Sequence, residues 1–224
     1  MIYILDTADL DTIAYFNEFY PLAGVTTNPS IIAKENTDFW PLIAKIRETI
    51  GNDKMLHVQV TAEKAEDIVE EAKILKERIG GNFYVKIPIG EEGLKATMML
   101  KKLGINVTIT AIFTPAQALL AAMAGASFVA PYVNRLDNIL GDGCEVVAEI
   151  VNQLELFGSD CKVLAASFKN AEMVHKCASV GCHSVTVSAD ILKSLISHPM
   201  TDAAIAGFKK DWHSVYGDKT IAQF

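Results

Sequence analysis

Residues 83–90 read FYVKIPIG, a run of large apolar residues with one lysine, Lys86, in its middle. The run is too short for a helix and rich in β-branched and aromatic residues, so it reads as a buried strand. A charged ammonium in an apolar interior costs several kcal/mol even after relaxation. Lys86 therefore either has an anionic partner or is held as the neutral amine. The first case is a structural ion pair, with Asp6 as the candidate partner. The second is chemical: a free lysine titrates near 10.4, and lowering it to roughly 7–8 takes about 4 kcal/mol, which desolvation of this kind supplies. A neutral buried amine attacks carbonyls, so the functional expectation for Lys86 is Schiff-base formation.

Other polar residues stand at the ends of similar apolar runs: Asp6, Thr26 with Asn28, Gln59, Thr110, Tyr132, Ser167 and Ser188. Asp6 in DTADLD suits either a helix N-cap or a carboxylate that orients a substrate hydroxyl or moves a proton. Asn28 in TTNPS precedes Pro29, a common way to begin a helix. Gln59 shares a strand face with His57, which reads as an interior histidine with its hydrogen bonds met. Arg135 follows PYVN, and ASFKN spans 166–170. Both suit phosphate, since an arginine gives bidentate contacts and late-strand loops of barrels often hold anions. Arg135 equally suits a surface ion pair. Five scattered histidines show no H-x-H or H-E-x-x-H, so no metal site is expected. Without a Walker A or G-x-G-x-x-G pattern, no nucleotide cofactor is expected either.

Eight candidate strands carry these residues: Ile2 to Asp6, Ala23 to Asn28, Met55 to Val60, Phe83 to Ile89, Asn106 to Phe113, Phe128 to Val133, Lys162 to Phe168 and Ser184 to Ser188. Segments of helical spacing lie between them, such as AEKAEDIVEEAKILKERI and EEGLKATMMLKKLG, the latter ending at a glycine suited to a helix C-cap. Strands alternating with such helices give right-handed crossovers and a parallel sheet. Eight units in 224 residues, with no linker, predict one closed (β/α)8 TIM barrel spanning 1–224. Its site belongs at the C-terminal ends of the strands. If Val85 and Ile87 face the helices, Lys86 faces the interior. One additional helix, 201–217, carries a stripe of Ala204, Ile205, Phe208, Trp212, Val215 and Tyr216. It packs either on its own barrel or on another subunit.

Half of the residues are hydrophobic, enough for a large core. A net charge of -7 argues against nucleic acid and anionic membranes as partners, while leaving room for a local basic pocket. The N-terminus does not read as a signal peptide, and the longest apolar tract, Ala118 to Val133, is interrupted and too short to span a membrane. A soluble cytoplasmic protein is expected. Cys144, Cys161, Cys177 and Cys182 have no C-x-x-C or zinc-type spacing and read as ordinary reduced thiols.

LDTAD at 5–9, GVTTNPSIIAKE at 24–35, VKIPIGEEGLKA at 85–96, TAIFTPAQALLAAMAGASFVAPYVNR at 110–135 and VLAASFKN at 163–170 strongly resemble the small transaldolase family, above all its fructose-6-phosphate aldolase branch. The resemblance implies a (β/α)8 barrel, class I Schiff-base chemistry without metal or cofactor, and a sugar-phosphate substrate. It also implies pentameric rings assembled into decamers, with the C-terminal helix reaching a neighbouring subunit. By resemblance Lys86 is the Schiff-base lysine. Asp6 and Asn28, with Thr26 in the same motif, hold the dihydroxyacetone portion. Gln59, Thr110 and Tyr132 fix a catalytic water and handle protons, and Arg135 and Ser167 bind phosphate. Transaldolases of the family generally carry glutamate at the position of Gln59, and the short microbial ones often phenylalanine at that of Tyr132, so both residues are of the aldolase type. NVTIT at 106–110 looks more like the transaldolase relatives, and Phe113 replaces a tyrosine common among the aldolases. The alternative activity is therefore transaldolase.

Overall fold

The computed structural model describes residues 1–224. In chain order its elements are β1 (Ile2–Asp6), α1 (Leu10–Phe19), β2 (Leu22–Thr26), α2 (Pro29–Lys34), α3 (Phe39–Ile50), β3 (Met55–Gln59), α4 (Ala65–Ile79), β4 (Phe83–Pro88), α5 (Glu91–Lys102) and β5 (Val107–Ile112). There follow α6 (Pro115–Ala124), β6 (Phe128–Pro131), α7 (Val133–Asp137), α8 (Gly143–Leu156), β7 (Lys162–Ala165), α9 (Ala171–Ser179), β8 (Ser184–Val187), α10 (Ala189–Ser194) and α11 (Pro199–Tyr216). The eight strands pair in parallel, each with its sequence neighbours, and β8 closes on β1. The predicted barrel is present, with all eight strands where the apolar runs lie.

Seven of the predicted strands run past the observed C-terminal ends by one to three residues, and the fifth also begins one residue early, at Asn106. The residues beyond the ends remain apolar or polar in strand-like alternation, but their backbones serve other purposes. Asn28 caps α2, Tyr132 occupies the cap position of α7, and Ser167 turns to a left-handed φ of 65°. The glycine expected to stop α5 does so: Gly104 follows the cap residue Leu103 with φ 63°, a conformation that costs glycine nothing. Gly93 serves proximity instead. A Cβ there would lie 2.3 Å from the carbonyl oxygen of Pro88, so only glycine lets α5 lie directly behind the end of the lysine strand.

Alternation divides each strand. The outward residues, including Val25, Leu56, Val58, Val85, Ile87, Ile109, Val129, Val163 and Val185, join the helices in one large apolar core. The inward residues form two levels. The lower is apolar: Ile4, Met55, Phe128, Ala130 and Leu164, with Ala23 and Tyr84 against them. The upper is polar yet buried, and contains Thr26, His57, Lys86, Thr108, Thr110 and Thr186. A barrel interior filled this way is a packed floor under the C-terminal face.

Helix α11 stands apart from this packing. It begins two residues before the predicted 201, at Pro199, and buries none of its residues. Its aromatic side is met only by the chain's own tail, where Phe224 packs against Tyr216 with ring centroids 5.4 Å apart and Trp212 donates to the Lys219 carbonyl at 2.7 Å. Its own barrel does not bury it. No helix is long and apolar enough to cross a membrane.

Candidate active site

Lys86 extends from β4 into the interior, with Gln59 of β3 and Thr108 of β5 as its register partners. It is 3% exposed. Its Nζ reaches one protein acceptor, the Thr27 carbonyl at 3.5 Å, and no carboxylate lies at ion-pair distance. The structural ion pair with Asp6 is absent, because Asp6 is engaged elsewhere. Thr26 donates its hydroxyl hydrogen to Asp6 Oδ1 at 2.6 Å, and the Thr186 hydroxyl lies 2.5 Å from that of Thr26. Since a hydroxyl has one hydrogen to give, the chain runs Thr186 to Thr26 to Asp6. The N-cap reading of Asp6 is also corrected: Asp9 caps α1, accepting from the Thr12 amide at 2.8 Å. The Asp6 carboxylate keeps its second oxygen for the cavity.

A cavity of about 600 Å³ opens over Lys86 at the C-terminal face. Asp6, Asn28, Gln59, Tyr132, Arg135 and Ser167 all line it. Thr26 and Thr110 stand one shell behind, each touching a residue that does line it. Thr110 donates to the Tyr132 phenol oxygen at 3.1 Å, which leaves the phenol's own hydrogen free. Asn28 accepts from the Ile31 amide at 3.0 Å through its side-chain oxygen, so its amide hydrogens remain available. One residue thus fills the structural and the functional reading together. Gln59 makes no side-chain hydrogen bond and lines the cavity beside Lys86.

Two backbone irregularities aim these groups. Ala111 adopts φ 59° where the β5–β6 register slips between Thr110 and Ile112, and Ser167 adopts φ 65°. Neither is glycine, and left-handed conformations in other residues persist only where surroundings enforce them. Around Ser167 the enforcement is explicit, because Val133 and Asn134 donate to the carbonyls of Ala166 and Ser167 at 3.0 and 2.9 Å. The loops after β6 and β7 are thereby fastened together.

The same two loops carry cations. The Arg135 guanidinium lies over the Tyr132 ring, 4.9 Å from its centroid, and Lys169 follows Ser167. Lys34, at the far end of α2, reaches the opposite rim. None of the three forms an ion pair, so the surface ion-pair reading of Arg135 does not hold. In a chain of net charge -7, three unneutralised cations around one cavity form a local anion site. Thr186, Ser30, Lys34 and Lys169 line the cavity without having been singled out. Thr186 was accessible to strand alternation in SVTVS. Lys34 lies on a helix and has no strand-end signal.

His57 departs from expectation. It is fully buried; Nδ1 meets the Thr108 hydroxyl at 2.9 Å, but Nε2 has no partner. Its ring stacks on Tyr84 at 4.6 Å and 10°. Burial, and then the charge of Lys86, push its pKa down to about 3, so the imidazole is neutral. No group of three or more His, Cys, Asp or Glu side chains is placed to hold a metal ion.

A closed parallel barrel whose C-terminal face gathers a buried amine, a carboxylate, a phenol and an anion-binding rim has the architecture of a (β/α)8 enzyme. The sequence model of Transaldolase/Fructose-6-phosphate aldolase matches residues 3–219, and the chain belongs to that family; it is an enzyme of the aldolase or transaldolase type. Among solved structures, the native KDPGal structure is similar with a TM-score of 0.56 at 18% identity, over 84% of this chain and 82% of that one. A mandelate oxidase variant holding an FMN adduct is similar with a TM-score of 0.57 at 12% identity, over 84% and 64%. At such identities the likeness shows the barrel and nothing of the chemistry.

Proposed function

We propose that the chain is a Schiff-base aldolase that cleaves or forms fructose 6-phosphate. The carrying observation is Lys86, buried without an ion-pair partner beneath a cavity lined by hydroxyl-binding groups and rimmed by cations. The unprotonated amine adds to C2 of the ketose, and loss of water gives an iminium. Asp6 and Asn28 hold the hydroxyls of the C1–C3 end, and Arg135 with Ser167 holds the phosphate. A water fixed by Gln59, Thr110 and Tyr132 takes the proton of the C4 hydroxyl. The C3–C4 bond then breaks, its electron pair moving to the iminium nitrogen, and glyceraldehyde 3-phosphate leaves. Protonation of the enamine and hydrolysis release dihydroxyacetone and restore the amine.

Gln59 orients water but cannot ionise, so proton transfer falls to the Tyr132 phenol. That pair favours the aldolase. NVTIT at 106–110 and Phe113, whose ring meets Tyr132 edge-on at 5.7 Å, favour transaldolase as the second reading, in which the enamine waits for an aldose phosphate. In either reading the enzyme works in the cytoplasm without metal or cofactor, as a homo-oligomer of pentameric rings paired into a decamer.

Incubation with fructose 6-phosphate alone distinguishes the two. The aldolase releases free dihydroxyacetone; a transaldolase releases none and transfers the unit once erythrose 4-phosphate is added. Borohydride with dihydroxyacetone is expected to label the peptide containing Lys86, and Lys86→Met to abolish both label and turnover. Turnover with an unlabelled Lys86 peptide would overturn the reading.

A further inference from the structure

The mechanism leaves the thiols unused, and two of them touch. Cys144, in the first turn of α8, has its Sγ 3.3 Å from the Sγ of Cys177 on α9. That is roughly 1.3 Å beyond the ~2.05 Å of a disulfide. Cys144 is half-buried, while Cys177 is buried. The other thiols are differently occupied: Cys182 donates to the Ser184 carbonyl at 3.1 Å, and Cys161 lies at the start of β7 beside the Lys162 carbonyl. We propose that Cys144 and Cys177 form a reversible oxidation site, whose disulfide staples α8 to α9 under the anion-binding rim.

The co-reactant is a peroxide. The Cys144 thiolate attacks one peroxide oxygen, breaking the O–O bond and giving a sulfenic acid plus water. The Cys177 sulfur then attacks the Cys144 sulfur and displaces a second water, so two thiols lose two electrons and two protons to the peroxide. Contact, not acidity, selects this pair. Burial raises the Cys144 thiol, as do the charges of Asp142 and Asp137, while the hydrogen bond with Cys177 and the charge of Lys176 lower it. Burial likewise raises Cys177, with Cys144, Cys182 and Asp137 adding to it. Oxidation is therefore slow at neutral pH and quickens about tenfold per pH unit while the thiolate is the minor form.

The bond would reach the rim through short connections. Gly143, beside Cys144, donates to Asp137 Oδ1 at 2.8 Å, and Asp137 ends the α7 turn that carries Arg135. On the other side Asn170 caps α9, accepting from the Met173 amide at 2.9 Å, and directly follows Lys169. The staple thus joins the segments that hold Arg135 and Ser167, and its effect on a phosphorylated substrate rests on the function proposed above.

The test treats the intact enzyme with hydrogen peroxide at pH 7.5 and pH 9, alkylates the remaining thiols and maps unreduced peptides by mass. The expected result is a linked pair containing Cys144 and Cys177, two hydrogens lighter, faster at pH 9, reversed by dithiothreitol and absent from Cys144→Ser. In Cys177→Ala, Cys144 is expected to accumulate as a dimedone-trapped sulfenic acid. Cys144 and Cys177 both alkylated after treatment, a link to Cys182, or sulfinic acid at Cys144 of the native chain would overturn the site. Oxidised native enzyme is expected to show at least a twofold change in KM for fructose 6-phosphate, with treated Cys144→Ser unchanged. A linked pair with unaltered KM would overturn the connection to the rim. The peptide map needs no catalytic assay, so a failure of the aldolase reading leaves it intact.

Discussion

Lys86 and His57 share the buried polar level on neighbouring strands, two residues apart in register, with Gln59 beside the lysine and Tyr84 beside the imidazole. Two basic side chains buried so close cannot both be charged without large cost, and burial by itself already disfavours the charged imidazole. This has a consequence for acid stability. An unfolded histidine takes a proton near pH 6.5, whereas in the fold His57 takes one only near pH 3. Between those values the unfolded chain binds more protons, so stability present above pH 6.5 is lost as pH falls toward 3. His57→Phe keeps the stack on Tyr84 and removes the titration. Urea unfolding at pH 7 and pH 4.5 is expected to show a pH-dependent loss about 2–3 kcal/mol smaller in the variant than in the native chain. Equal losses would mean that the imidazole is protonated in the fold. The phenol is tested separately. Tyr132→Phe retains the ring under Arg135 and beside Phe113 but removes the hydroxyl that Thr110 meets, and kcat is expected to fall about 10²–10⁴-fold. Borohydride labelling at Lys86 should survive, because the amine is untouched.

Strand β5 shows how an element turns residue type into aim. The left-handed Ala111 takes up the register slip, so that Thr110 pairs with Ala130 and Ile112 with Pro131 while the Thr110 hydroxyl reaches Tyr132. Ala111→Gly is expected to leave activity unchanged and to preserve or slightly raise stability. Ala111→Val, branched at Cβ and opposed to that φ, is expected to cost about 1–3 kcal/mol and to lower kcat by misplacing Thr110. Thermal melts and turnover measured together check both. Nothing in TAIF marks this slip, since alanine fits strand, helix or turn in sequence. The strands themselves were readable because period-two alternation and helical spacing differ over any window of eight or more residues. The inward aim of Lys86 followed from its apolar neighbours, which join the helix-facing core as alternation requires. What escaped was set by tertiary contact: the Thr186–Thr26–Asp6 chain links strands far apart in sequence, Lys34 returns to the cavity from a helix end, and the orphaned His57 nitrogen depends on three strands meeting.

At the scale of the whole molecule α11 is the one long helix that buries none of its residues. Phe208 is 72% exposed, Val215 70% and Ile205 46%, along a helix that contributes nothing to the core. Apolar stripes of this size commonly mark interaction surfaces. In proteins most helical stability comes from packing of an apolar face, and α11 packs none of its own. The homo-oligomer proposed above would cover the stripe, and the barrel is closed without the helix. Two variants separate assembly from folding. Phe208→Glu combined with Val215→Glu places charge on the stripe and leaves every barrel residue in place. The native chain is expected to sediment at a multiple of 24.4 kDa, and the double variant as a smaller species with the same far-ultraviolet circular dichroism and Lys86 still open to borohydride labelling. Removal of 199–224 is expected to give the same smaller mass. Native enzyme sedimenting at the single-chain mass across micromolar concentrations would show that the helix does not join subunits. A double variant that keeps the native mass would instead place the subunit contact on the barrel.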